Sequence, residues 1–335
     1  MTMQDATGTD TAELPEPVGP SRRHVLGALG VASGLLSSLG LNRPRAWADT
    51  PLRIGDQKGG ARSLLEAAGM TTDGALPVQW SLFAGAPMLI QALAANAVDA
   101  GVIGDAPLVF AQAGGVPVKA IAGIQTDGTT TAIVVAKNSP LRSVRDLKGK
   151  RVATLRAQTG HYLTLAALRA AGMKDDDVAF VFIPPVSAKL ALQSGAVDAW
   201  ATWGPYISDA KIADGAREIV NGGKLMSGLS YVVATEAALR NRRDNLTAYL
   251  RRFRAAHRWM LTHQDAYAEV WGRDVGLPLP VARDVVRGLV GTVVPLTPDI
   301  IAKQQQVSDF MAETRMVPRR LDTAGIVDSS FTFQP

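Results

Sequence analysis

Ala92-Leu93-Ala94-Ala95-Asn96-Ala97-Val98-Asp99-Ala100 returns 99 positions later as Ala191-Leu192-Gln193-Ser194-Gly195-Ala196-Val197-Asp198-Ala199. The likeness extends outward from this core. Upstream of each copy stands a strand-like run, Val78 to Phe83 or Val178 to Ile183, followed by a Gly/Pro/Ala loop and a helical pattern that leads into Ala-Leu. Downstream comes a short apolar run and a turn containing Pro107 or Pro205. Strand, loop, helix, strand and loop written twice predict two α/β lobes of similar build, because each helix must bury its apolar stripe on its own sheet. Two such lobes leave a cleft between them.

Length and composition agree. A chain of 335 residues holds two domains, and 47% hydrophobic residues supply two cores. The excess of basic over acidic side chains is 35 − 30 = +5, without a long Lys/Arg block, which suits an anionic ligand better than nucleic acid. The absence of cysteine excludes disulfides, thiolate metal sites, cysteine nucleophiles and a lipid-modified cysteine. Four histidines remain, and no metal-ligand cluster, Ser-His-Asp spacing or nucleotide loop stands out, so neither a cofactor nor a metal is expected.

Residues 1–48 read as an address. Ser21-Arg22-Arg23-His24-Val25-Leu26 opens a glycine-diluted apolar stretch to Leu41, basic Arg43 and Arg45 follow, and Ala46-Trp47-Ala48 supplies small residues for cleavage before Asp49. This pattern resembles a twin-arginine export signal and places the mature chain in the periplasm.

Beyond Asp49, strands and helices alternate. Leu52 to Gly55 is a first strand, and a turn at Gln57-Lys58-Gly59-Gly60 enters a helix. Ala132 to Ala136 is a buried strand leading into the second lobe, and Tyr231 to Ala234 mirrors it. The expected division is therefore 49–136 in lobe 1, 137–228 in lobe 2 and 229–335 back in lobe 1, with two crossing strands as a hinge. From Arg240 the composition turns to long helices. Leu246, Leu250, Phe253 and Met260 mark an apolar face, and Arg251, Arg252, Arg254 and Arg258 fall away from it on a solvated one. Gly, Pro and Asp residues over 272–299 separate these helices from a last one ending near Met311.

Several segments carry a family likeness: Ile54-Gly55-x-Gln57-Lys58, Gly104-Asp105-Ala106-Pro107, Asp146-Leu147-Lys148-Gly149-Lys150, His161-Tyr162-Leu163 and Trp200-x-x-Trp203-x-Pro205-Tyr206. From about Leu52 to the C-terminus the chain resembles the periplasmic aliphatic-sulfonate-binding proteins of ABC importers. The resemblance implies a type II periplasmic binding protein fold, two lobes closing on an alkanesulfonate, a monomer, and delivery to a membrane permease with its ATPase. It also sets alternatives: a binding protein for nitrate, taurine or a pyrimidine precursor, or an enzyme like those that make the thiamine pyrimidine. Those enzymes use a cysteine-rich motif, which this chain lacks, so no catalytic residue is expected.

The chemistry of the loops points the same way. In open α/β sheets ligands sit beyond the carboxyl ends of strands, where loops enter helices. Here those loops are Ala84-Gly85-Ala86-Pro87, Gly104-Asp105-Ala106-Pro107, Ala157-Gln158-Thr159-Gly160 and Trp203-Gly204-Pro205. Small residues let backbone N–H groups approach an anion, and a helix N-terminus holds an oxyanion without a buried cation. The expected ligand contacts are Gln57, Gly85, Ala86, Asp105, Ala106, Thr130, Thr131, Gln158, Thr159 and His161, with Trp203 packing a carbon tail. Asp99 and Asp198 are expected to be structural. The chain has Asp56 where similar proteins often carry Tyr, Thr131 where they carry Glu, and Gly204 where they carry Asp.

Overall fold

The computed structural model describes residues 50–71, 76–156 and 158–332; the export segment expected over 1–48 and loop residue Ala157 lie outside them. In chain order the first elements are β1 (Leu52–Gln57), α1 (Ala61–Ala67), β2 (Val78–Phe83), α2 (Ala86–Ala94), β3 (Ala100–Gly104), α3 (Asp105–Ala113) and β4 (Val118–Gln125). Next come β5 (Thr131–Val135), β6 (Arg151–Thr154), α4 (Thr159–Ala170), β7 (Ala179–Phe182), α5 (Pro185–Gln193), β8 (Ala199–Trp203), α6 (Pro205–Asp214) and β9 (Arg217–Asn221). The chain finishes with β10 (Leu229–Thr235), α7 (Glu236–Asn241), α8 (Arg243–Met260), α9 (Gln264–Val275), α10 (Leu279–Leu289), β11 (Thr292–Val294) and α11 (Pro298–Glu313).

The strands form two sheets, ordered β11-β4-β10-β3-β1-β2 and β7-β6-β8-β5-β9. In each, a parallel trio (β2-β1-β3 or β7-β6-β8) is followed by one antiparallel strand that arrives from elsewhere in the chain, β10 or β5. The sequence repeat is thus a repeat of topology. Both sheets are covered on both faces, and the strand period of two sorts the side chains. Val232 and Ala234 of β10 face α8 and its Leu246, Tyr249 and Phe253, whereas Tyr231 and Val233 face the layer of Leu89, Leu93 and Leu108. In the second sheet Ile133 and Val135 pack with Leu163 and Leu168 of α4, and Ala132 and Val134 pack with Leu192 and Ile207.

Two sequence expectations need correction. The strand at 131–135 pairs with β8 and β9, so it belongs to the second sheet and the first crossing lies ahead of it, over 126–130, not after 136. A run of five fully buried residues cannot say which of two sheets buries it. The stretch 272–299, read as a separator, contains α10 and β11; Pro280 sits in the first helical turn, where its missing N–H costs nothing.

The crossings run side by side. Thr126 N donates to Gly228 O at 2.8 Å, and Gly222 N donates to Thr131 O at 2.8 Å. Gly128 (φ +80°) and Gly228 (φ +65°) adopt the left-handed region that favours glycine, which lets the two segments turn tightly against each other.

Candidate functional site

The carboxyl ends of the parallel strands in both lobes carry most of the residues singled out by sequence, and Thr130 and Thr131 stand at the start of antiparallel β5. Gln57 ends β1 beside Phe83 of β2, and Trp203 ends β8 opposite Thr131 of β5. Gly85, Gly104, Gln158 and Gly204 are the residues that precede α2, α3, α4 and α6, and none of these four helix starts is closed by a hydrogen bond from the preceding side chain. Each helix leaves its first backbone donors without a main-chain acceptor within the helix, although in α3 Asp105 Oδ1 takes the N–H of Ala106. The space ahead of two of them is open: a Cβ on Gly85 would meet only Pro87 Cδ, at 3.7 Å, and one on Gly204 nothing within 4 Å. At Gly104 the same atom would lie 3.5 Å from Thr159 Cγ2, so there the two lobes face each other at van der Waals range.

α1 is different. Asp56, buried at the end of β1, accepts from Ala61 N at 3.0 Å and Arg62 N at 2.8 Å, so this chain supplies its own anion to that helix. Burial pushes its carboxyl up to about 6, against the pull of those amides.

Asp105 is held by the fold itself. Its side chain is 1% exposed. Oδ1 accepts from Ala106 N at 2.7 Å and Oδ2 from Ser227 Oγ at 2.6 Å, while Gln304 Nε2 donates to its carbonyl at 2.9 Å. Those bonds make it a strut that ties α3 to the second crossing and to α11, and burial raises its pKa. Ser227 lies 122 residues away and Gln304 199, and no local signal in the sequence joins them to Asp105.

Gln57 reaches sideways, Nε2 donating to Val102 O at 3.3 Å. Thr131 is buried, and Thr130 O accepts from Gly204 N at 2.8 Å, which fixes the first crossing to the start of α6. His161 stands edge-on to Phe180 and Phe182, with centroids at 4.8 and 5.0 Å, and Arg156 lies 3.8 Å over the Phe182 ring. Burial, helped by the Arg156 charge, lowers its pKa to about 4. The imidazole is neutral at physiological pH, and its Nδ1 is buried without a partner among the described residues. Trp203 is half-buried and meets Tyr206 edge-on at 5.7 Å, whereas Trp200 is core. Asp99 and Asp198 are structural, as expected: each carboxylate takes the backbone N–H and the guanidinium of an arginine at the start of β1 or β6.

The flanks of the cleft are in contact. Tyr162 and Ala166 of α4 pack with Ala106 and Val109 of α3 and Val307 and Met311 of α11. On the other side Ser208 Oγ donates to Asp284 Oδ2 of α10 at 2.7 Å. Amides at helix starts from both lobes, open space ahead of α2 and α6 and an aromatic at the rim can hold a compact oxyanion carrying a short apolar tail.

Residues 84–267 match the family model described as NMT1/THI5 like. An aliphatic sulfonates-binding protein of Escherichia coli (strain K12) is 32% identical over 275 residues, covering 81% of this chain and 86% of the relative. The crystal structure of the periplasmic aliphatic sulphonate binding protein SsuA from Escherichia coli superposes with TM-score 0.78 at 30% identity, over 85% of this chain and 94% of that one. The alkanesulfonate-binding protein SsuA from Xanthomonas axonopodis pv. citri, bound to MOPS, gives TM-score 0.75 at 27% identity, over 83% and 98%.

Proposed function

We propose, from the premise that this chain belongs to the NMT1/THI5-like family, that it is the solute-binding component of an ABC importer and captures an aliphatic sulfonate between its lobes. The observation that carries this reading is the set of three helix starts left uncapped at the ends of the parallel strands, that of α2 in one lobe and those of α4 and α6 in the other. A sulfonate stays ionised across physiological pH and spreads its charge over three oxygens, which backbone N–H groups match without a buried cation. Three or four charge-assisted hydrogen bonds at about 1.5 to 3 kcal/mol each, less ordering costs, support roughly micromolar binding.

Selectivity follows from the carboxylates. Asp56 is engaged by α1 and Asp105 by Ser227 and Ala106, while Thr131 and Gly204 bring none, so an ammonium group finds no free acceptor among these residues. Short uncharged alkanesulfonates are therefore expected to bind more tightly than taurine, sulfate or nitrate in calorimetric titration. Trp203→Ala is expected to weaken longer tails most, by roughly 1 kcal/mol. Taurine or nitrate as the tightest ligand would overturn the selectivity, and heat from none of them would overturn the ligand class.

The relatives are binding proteins, and binding without turnover suits a site whose one imidazole is neutral and unrelayed. Delivery of the sulfonate to a permease and its ATPase completes the role, with the chain acting as a monomer in the periplasm. Export by way of Arg22-Arg23 with cleavage after Ala48 makes Asp49 the first residue of the mature protein. Sequencing the N-terminus of periplasmic material tests this, and a start elsewhere would refute the cleavage site.

A further inference from the structure

The arginines of α8 line a groove of about 640 Å³ between that helix and residues 330–332. Arg243, Arg251, Arg254 and Arg258 stand along it, and no Asp or Glu is among its described lining residues. Arg251 and Arg258 are seven residues apart, hence on one face and about 10 Å from each other. Both are exposed, and neither has an ion pair among the described residues. Arg243 is set in place: it pairs with Asp328 at 3.2 Å and lies 4.2 Å over the Phe331 ring. The floor, Leu250 and Phe331, is 1% and 5% exposed. A basic helix face open to solvent needs no such groove, and a concave site that presents exposed Arg251 and Arg258, with no Asp or Glu among its described lining residues, is complementary to negative charges held in a row.

We infer that this groove docks an extended, carboxylate-rich polypeptide segment of a partner protein. Among the described lining residues every cation is an arginine, not a lysine, and the guanidinium fork matches carboxylates in bidentate fashion. A bilayer surface fits less well, because the apolar floor is covered and leaves no side chain in the groove to insert among lipids. None of the lining residues lies at the strand ends where the sulfonate site is placed, so the inference stands apart from that site.

The test uses the full chain and a fluorescent peptide of about ten glutamates, long enough at roughly 3.3 Å per residue to span the arginine row. Anisotropy is expected to show saturable binding at low salt, weakened about tenfold or more by R251E/R258E and also by raising NaCl from about 20 to about 200 mM. R251K/R258K is expected to fall between, since it keeps charge and loses the forks. Thermal midpoint and sulfonate titration of the variants establish that they are folded. Equal binding of the peptide by parent and R251E/R258E would overturn the inference. So would tighter, arginine-dependent binding to phosphatidylglycerol vesicles than to the peptide, which would assign the groove to a membrane.

Discussion

Asp99 and Asp198 hold equivalent joints, each fastening the start of its lobe's third strand to the start of its first. Asp99 N donates to Arg53 O at 2.7 Å and Asp198 N to Arg151 O at 2.9 Å, and each carboxylate returns the contact. The first joint is the more buried, because Arg242 adds a second guanidinium to Asp99 at 3.1 Å. At the same scale, three titratable groups shifted chiefly by burial contribute to the acid response, beside Asp105, whose carboxyl is raised in the same sense as that of Asp56. His257 and His161 are both lowered to about 4 chiefly by burial, so the unfolded chain, with histidine near 6.5, takes up protons first. Their contribution is complete above about pH 6.5 and is lost as pH falls toward 4. Asp56, raised to about 6, has the opposite sign: the folded state takes its proton first, and stability is gained as pH falls from about 6 toward 4. From about pH 7 to about pH 5 each histidine removes roughly 1 to 2 kcal/mol and Asp56 returns roughly 1. The urea midpoint is thus expected to drop on acidification, and to drop more steeply in Asp56→Asn. A variant with the same slope as the parent would refute the assignment to Asp56. The repeated aspartates were legible as structural because they recur in register. The bonds of Asp105 were not legible, because its loop looks like the others and the hydroxyl that meets it comes from the far side of the fold.

Glycines at element ends separate stability from binding. A Cβ on Gly222 would lie 2.4 Å from Gly128 O and 2.8 Å from Met226 Sδ, so Gly222→Ala forces the two crossings apart and is expected to cost about 1 to 3 kcal/mol. Gly85→Ala is the counterpart. Gly85 is extended (φ 177°) and its Cβ would point into the open space before α2, so folding stability should be unchanged while sulfonate affinity falls. Denaturant midpoints and calorimetry on the same two variants decide; unchanged affinity in Gly85→Ala would remove α2 from the site. The helices that open onto the cleft were readable from Gly and Pro at the turns, since those residues act within one turn. β9 and β11 were not, because strands of five and three residues between glycines and prolines owe their existence to the neighbour that pairs with them.

Two lobes were legible in the sequence because a strand, helix and strand that recur must each find a sheet. How the lobes touch was not, because the contacts join residues far apart in the chain: Ser208 with Asp284, Asp105 with Ser227. Those contacts bear on motion. The lobes meet on both flanks, through α3, α4 and α11 on one side and α6 with α10 on the other, yet the chain links them only over 126–130 and 222–228. One flank is a small apolar cluster and the other is polar, with Lys211 3.8 Å from Asp284 at 38% side-chain exposure, so neither makes a large, dry interface. A sulfonate that takes amides from α2 in one lobe and from α4 and α6 in the other binds only when both lobes are near, so it draws the equilibrium toward contact. Solution scattering is expected to show a radius of gyration smaller by about 1 Å or less at saturation, the size of a hinge closure in a two-lobed chain. Asp284→Ala, which removes the polar flank, should enlarge the ligand-free form and leave a greater change on binding. Identical dimensions for the free, bound and Asp284→Ala proteins would mean that the lobes are fixed and that the ligand enters a preformed site.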